Sequence, residues 1–374
     1  IKNQLGEKAS ICVEPCRRDT FPAIALAATY LHDELCVGVD EAVVVCPVDP
    51  YVDNTYYEAV KALQELAEQG DANLTLMGIE PTYPSEKYGY IIPESGDSVS
   101  KVKEFKEKPD TETAKKYLAQ HALWNAGIFA FKLGYLLDKA HSMIDFDDYR
   151  DLFNKYDTLT KISFDYAVVE KEPSIQVLRY SGDWKDVGTW NMMAEVMADK
   201  TKGKAILDET SVNSNVVNEL NIPILCMGCK DLIVASGDGI LISDKERSGY
   251  MKPYVEKIET EAMYAEKSWG TYTVIDVQPG SMTVKVSMKA GEHMTYHMHN
   301  YREEVWTIVS GKGKAIVDGM EQILRSGDVI TIAAGSKHTV EAITALDIVE
   351  VQLGDEISVT DKIKFPEEIE FPLE

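Results

Sequence analysis

The sequence is poor in positive charge: 38 lysines and arginines stand against 62 aspartates and glutamates, leaving a net charge of −24 over 374 residues. A surface so acidic cannot neutralise the phosphates of a duplex, which excludes nucleic acid as a partner. A small anion remains accessible, because a local cluster, a backbone nest or a metal ion can hold it. No apolar run approaches the roughly 18 residues of a membrane span, and no signal peptide is visible, so the expectation is no membrane and a reducing, cytoplasmic location. Cysteines are few: six, four of them within the first 46 residues. Cys226-Met-Gly-Cys229 has C-x-x-C spacing, but no second pair completes a zinc site, and buried thiols are expected. Repeats of fixed period and low-complexity linkers are also lacking.

What is present suits two or three domains. Residues 1–202 alternate β-branched runs with helical patterns, which predicts an α/β domain with a mainly parallel sheet wrapped by helices. Ala42 to Cys46 and Leu74 to Ile79 are buried-strand runs, and Tyr56 to Gln69, Thr113 to Gln120 and Pro22 to Tyr30 are helical. Asp49 then lies at the carboxyl end of a strand, where open α/β sheets bind ligands. Arg18-Asp19-Thr20 lies just before a helix N-terminus, a natural anion site. Residues 203–262 form a β-rich connecting module. Residues 263–374 carry many short strands separated by turns, which predicts an antiparallel sandwich or barrel.

Short motifs occur in a fixed order: Glu14-Pro15-x-x-Arg18-Asp19-Thr20-x-Pro22, Pro47-Val48-Asp49-Pro50, Glu107-Lys108-Pro109, Trp124-Asn125-x-Gly127-x-Phe129 and Trp184-Lys185-Asp186-Val187-Gly188-Thr189-Trp190. Read together they resemble the mannose-1-phosphate guanylyltransferase family. That resemblance implies a Rossmann-like nucleotidyltransferase domain that joins mannose 1-phosphate to GTP, giving GDP-mannose and pyrophosphate for polysaccharide biosynthesis. It also implies that Asp49 and Asp186 bind Mg²⁺ and, with Lys108, carry catalysis. Arg18, Thr20, Gly89, Tyr90, Glu107, Lys108, Asn125 and Gly127 would contact the substrates. Bringing two anions together demands divalent metal and cations, so the residue types suit the chemistry. Taken singly, Asp49 reads equally as a turn residue before Pro50, and Asp186 as a cap for the helix near Thr189.

Further on, Gly291-x5-His297-x-His299-x4-Glu304-x6-Gly311 and Gly327-x5-Ala333-x-Gly335-x2-His338 match both cupin motifs, with Ala333 where the pattern usually has proline. Strand alternation puts His297 and His299 on one face. Glu304 and His338 complete a three-nitrogen, one-oxygen set for Zn²⁺ or another divalent metal. In two-domain members of the family such a cupin (jelly-roll) domain resembles a phosphomannose isomerase, whose tail carries an arginine where this chain has Lys364. The family opens with a segment close to Gly-Gly-x-Gly-x-Arg, and the chain has no such run before Ile1. The expectation is therefore an N-terminally truncated domain, inactive as it stands. A metal-dependent isomerase and a non-catalytic sugar-nucleotide-binding protein are the alternative readings, and a homo-oligomer is compatible with all three.

Overall fold

The computed structural model describes residues 5, 8–220, 222–236, 239–255, 257, 263–358, 361–365 and 368–369. The chain forms two compact units, residues 10–196 and a second beginning at residue 197.

The first unit is a six-stranded sheet between helices. Its strands are β1 (Ala42–Val45), β3 (Leu74–Ile79), β4 (Gly89–Pro93), β5 (Val99–Lys106), β6 (Leu123–Lys132) and β7 (Ile175–Tyr180), in the order β1-β6-β3-β7-β5-β4. A separate ribbon pairs β2 (Pro50–Val52) with β8 (Trp184–Asp186). The helices are α1 (Thr20–Asp33), α2 (Thr55–Gln69), α3 (Thr111–Leu118), α4 (Leu133–Met143) and three shorter ones, α5 (Tyr149–Asn154), α6 (Phe164–Ala167) and α7 (Trp190–Val196). Gly70 ends α2 in the left-handed conformation at φ 76°, where a side chain is disfavoured. The sheet expected to be mainly parallel is mixed. β1, β3, β4 and β7 share one direction, but β5 and β6 oppose them, and β3–β7 is the parallel pair. Strands buried on both faces read as continuous apolar runs whichever way they point, so composition does not reveal the reversal.

Both faces of β6 are buried. Leu123, Phe129 and Phe131 join one core with Phe21, Leu74, Leu76, Leu133 and Phe164. Trp124, Ala126, Ile128 and Ala130 join another with Leu63, Met77, Ile79, Tyr88 and Tyr90. Between them Asn125 sits opposite Gly78 on β3 and Gly89 on β4.

In the second unit, β9 (Thr201–Lys202), β11 (Asn215–Val217) and β13 (Leu232–Ser236) stack in parallel, and β14 (Ile240–Asp244) closes that sheet antiparallel to β13. β10 (Ala205–Leu207) pairs in parallel with β12 (Ile224–Cys226). Cys226 is buried and Cys229 partly so, and all six cysteines are free thiols. Two facing antiparallel sheets follow. One runs β15 (Tyr264–Lys267), β16 (Gly270–Gln278), β17 (Ser281–Met288), β24 (Leu346–Leu353), β19 (Glu303–Ser310), β22 (Val329–Ile332). The other runs β21 (Met320–Arg325), β20 (Lys312–Val317), β23 (His338–Ala342), β18 (His297–His299), β25 (Lys362–Lys364). This is the expected cupin jelly roll. Its inward positions divide along the strands: Leu346 and Ile348 on β24, Ile308 on β19, and Val340 and Ala342 on β23 pack as an apolar core. Glu350, Gln352, Glu304 and His338, also buried, make the other end polar.

Gly78 is a tight point of the first sheet's apolar packing, since a Cβ there would stand 2.5 Å from Leu123 Cδ1 and 2.7 Å from Val177 Cγ2. Gly78→Ala is expected to destabilise the unit by about 1–3 kcal/mol, the usual cost of overpacking. A denaturation midpoint equal to wild type would refute that packing argument.

Candidate functional site

The β2–β8 ribbon brings together residues more than a hundred positions apart. Pro50 pairs with Asp186 and Val52 with Trp184, so Asp49 and Asp186 end up at one end of the ribbon. Both are exposed, and with Pro47, Pro50, Tyr88, Asn125, Ala126 and Trp184 they line a cavity of about 230 Å³. Asp186 Oδ1 accepts from Gly188 N–H at 2.9 Å, a local turn bond that leaves its second oxygen available. Aromatic rings form one wall: Tyr88 lies 4.9 Å from Trp124 and 5.6 Å from Trp184, centroid to centroid. Burial, then the Tyr83 and Asp186 charges, push the Tyr88 phenol well above its ordinary range, so it stays a neutral donor.

Asn125 links this cavity to a second cluster. Its amide Nδ2 donates to Asp165 Oδ1 at 2.6 Å, and its Oδ1 accepts from Gly127 N–H at 3.2 Å. Gly127 has φ 70°, so the irregularity in β6 there requires a residue free of Cβ strain. Glu107 is 7% exposed; its Oε1 accepts from Lys108 Nζ at 2.7 Å, and its buried Oε2 has no partner. An added Cβ on Gly89 would collide with that Oε2, so glycine there is what gives Glu107 room. Lys108 holds its backbone at φ 43°, a sparsely populated conformation of the kind that concentrates at functional sites. Burial pulls its pKa down, but the Glu107 hydrogen bond and charge outweigh that and raise it. Burial first, then the Glu107 charge, push Asp165 up to about 6.

Two expected contacts are corrected. Tyr90 is not at the site: alternation turns it to the face opposite Gly89, where it is 0% exposed, and Ser85 N–H and C=O engage its hydroxyl at 2.8 and 3.1 Å. Tyr88, which packs in the same core as Tyr90 but just before β4 begins, lines the cavity in its place. The N-terminus of α1, expected to receive an anion, is filled by Asp19, whose carboxylate accepts from Thr20 N–H at 2.8 Å. Thr20 Oγ1 accepts from Phe164 N–H at 2.8 Å and so anchors the turn that carries Asp165. Arg18 lies just outside α1 with its Nε buried and unpartnered, and takes no part in these hydrogen bonds.

In the jelly roll, β18 and β23 place His297 opposite His338, while His299 and Glu304 complete a fully buried group. Each imidazole is oriented by a carbonyl: Nδ1 of His297 meets Thr295 O at 2.7 Å, that of His299 meets Asp361 O at 3.2 Å, and that of His338 meets Ser336 O at 3.0 Å. A carbonyl only accepts, so each Nδ1 carries the proton and each Nε2 keeps a lone pair. Ligand nitrogens of the three rings lie within 4.8 Å of one another. Glu304 Oε1 is 3.2 Å from His299 Nε2, and Oε2 is 3.4 Å from His338 Nε2. His338 Nε2 is buried without a hydrogen-bond partner. Converging imidazole lone pairs, that of His338 with no hydrogen-bond partner, suit a divalent cation, and the three histidines could hold one. Burial first, then Lys362, hold His297 neutral, down to about 2; burial, with Arg302 and His338, takes His299 down to about 4. The group opens into a cavity of about 850 Å³, also lined by Trp269, Tyr272, Arg302, Glu350, Lys267, Lys362 and Lys364.

Residues 2–203 match the nucleotidyl transferase family model, and residues 256–367 match the mannose-6-phosphate isomerase C-terminal model. The mannose-1-phosphate guanylyltransferase ManC of Salmonella typhimurium is 30% identical, over 97% of this chain and 82% of the relative. The mannose-1-phosphate guanylyltransferase of Escherichia coli K12 is also 30% identical, over 97% and 83%. The chain belongs to the mannose-1-phosphate guanylyltransferase family. The xanthan biosynthesis protein XanB of Xanthomonas campestris is 29% identical over 97% of this chain and 83% of its own length. A crystal structure described as a mannose-1-phosphate geranyltransferase from Thermus thermophilus superposes with a TM-score of 0.59 at 25% identity, covering 69% of this chain and 80% of that one. Among the described residues, no helix of this family member is long and apolar enough to cross a membrane.

Asp165 and Tyr88 are site residues that reading the sequence missed. Asp165 follows the Ser163 cap of α6, whose Oγ accepts from Tyr166 N–H at 3.3 Å, and an acid in a first turn reads as ordinary helix chemistry. Because its folded pKa is raised above the unfolded value, wild type is most stable with Asp165 protonated and loses stability as pH rises from about 4 through 6. Asp165→Asn is expected to spare that loss, so that the variant gains on the order of 1–3 kcal/mol on wild type across the window. Urea titrations at pH 4 and pH 7 that show the same difference between the two proteins would refute it.

Proposed function

We propose that the chain transfers a guanylyl group from GTP to mannose 1-phosphate, with Mg²⁺ at Asp49 and Asp186. The observation that carries this is the β2–β8 pairing, which sets those two carboxylates on a cavity shared with Asn125. Two carboxylates with open coordination suit Mg²⁺, which when bound neutralises phosphate oxygens that would otherwise repel. Lys108, oriented by Glu107, offers its ammonium to the sugar phosphate, and the unpartnered Glu107 Oε2 accepts a sugar hydroxyl. Asn125, fixed by Asp165, and the backbone at Gly89 and Gly127 complete the sugar pocket. A phosphate oxygen of mannose 1-phosphate bonds to the α-phosphorus of GTP as the bond to the bridging oxygen breaks and pyrophosphate leaves. No protein nucleophile is needed, so catalysis is positioning and charge neutralisation. Six free thiols are consistent with work in a reducing compartment such as the cytoplasm.

The test is pyrophosphate release from GTP plus mannose 1-phosphate, on this chain and on the same chain preceded by the family's Gly-rich segment. Release is expected, and Asp186→Asn should lower it about a hundred- to a thousand-fold, as loss of one preorganised electrostatic group does, without changing the unfolding midpoint. No release from either protein would overturn the reading.

A second reading applies to the cupin, favoured by the three-histidine group opening on a cavity lined by Lys267, Lys362 and Lys364: aldose–ketose isomerisation of a hexose 6-phosphate, with Zn²⁺ or a similar ion. His299→Ala is expected to abolish bound metal, counted by elemental analysis after Zn²⁺ loading, and to leave guanylyl transfer unchanged. Undiminished metal content would sink the ligand assignment.

A further inference from the structure

Arg302 lies three residues beyond His299, and its side chain is 10% exposed. Its guanidinium donates through Nε to Glu304 Oε1 at 3.1 Å, through one terminal nitrogen to His299 Nε2 at 3.1 Å and through the other to Ser358 O at 3.2 Å. His299 Nε2 and Glu304 Oε1 are both acceptors and stand 3.2 Å apart; a shared donor or a cation is what makes such closeness tolerable. Arg302 is that donor. A divalent ion bound by the same nitrogen sits about 2.1 Å along the same lone pair, so guanidinium and ion cannot both use it.

We propose that Arg302 is a built-in competitor for the cation at the three-histidine site. The fork of the guanidinium spans two ligand atoms at once, as an ammonium could not, and so keeps the buried Glu304 charge compensated and the ligand set in place. Metal enters by exchange: the ion takes His299 Nε2, and Arg302 withdraws into the cavity of about 850 Å³ that it already lines. One buried cation replaces another, and Glu304 is never left unpaired. Removing the guanidinium therefore tightens metal binding. An ordinary supporting residue behaves oppositely, since loss of a group that orients ligands typically weakens metal affinity about 10–100-fold.

The experiment is Zn²⁺ binding to the metal-stripped full chain, by competition with a chromophoric chelator, for wild type, Arg302→Gln and Arg302→Lys, with His299→Ala as the variant lacking the site. Tightening of about tenfold or more in Arg302→Gln is expected, because the closed state no longer taxes binding. Arg302→Lys, which keeps a positive charge near Glu304 but cannot span both acceptors, should also bind more tightly than wild type and guards against misfolding of the glutamine variant. Affinity equal to or weaker than wild type, in whichever variant retains the wild-type thermal transition, overturns the proposal.

Discussion

The burial of β6 on both faces is the constraint from which the first site follows. A ten-residue strand with Leu123, Phe129 and Phe131 in one core and Trp124, Ile128 and Ala130 in the other has no freedom to slip, because a shift of one residue would exchange its two faces. Its register fixes Asn125 against Gly89, with the left-handed Gly127 two residues on. The Asn125 side chain is thereby held at the cavity edge and in reach of Asp165. Packing energy in the core thus sets a hydrogen-bond geometry that the polar residues alone would be too weak to impose.

The legible parts of the molecule are those where local pattern and tertiary demand agree. The helix over Thr55–Gln69, its glycine stop and the buried run Leu74–Ile79 are where hydrophobic period and capping put them. Asp49 and Asp186 are legible as motif residues, but their adjacency depends on a ribbon closing across the 136 positions between them, which no window on the chain reports. Tyr90 shows the limit differently: in Tyr88-Gly89-Tyr90 either tyrosine fits a sugar pocket by residue type, and the strand's position relative to the cavity decides which one faces it. Asp165 was invisible because its partner, Asn125, is forty residues away and its role is to hold another side chain.

In the jelly roll the same alternation separates structure from chemistry within single strands. On β24 the inward positions run Leu346, Ile348, Glu350, Gln352, and on β19 they run Glu304, Trp306, Ile308. Register pairs Ile308 with Ile348, Trp306 with Glu350 and Glu304 with Gln352, so apolar meets apolar at one end and polar meets polar at the other. Cost is concentrated at the polar end: burial first, then the Glu304 charge, push Glu350 up to about 8, and burial takes Lys362 down to about 8. Such groups are retained at the expense of stability, as is usual where a fold hosts a reactive site.

An acidic chain that handles anionic substrates must confine its positive charge to a few places. Long-range steering of GTP or a sugar phosphate is unavailable at a net charge of −24, and would be screened beyond about 8–10 Å at physiological salt in any case. Each unit therefore pairs its cations with buried carboxylates: Lys108 with Glu107 in the first, Arg302 with Glu304 in the second. The carboxylate holds the cation in one geometry, and its uncompensated oxygen or histidine neighbour stays poised for the ligand that completes the set. Charge is thus concentrated by desolvation, where each interaction is stronger than at the surface, and the acidity of the remaining surface does not oppose binding inside.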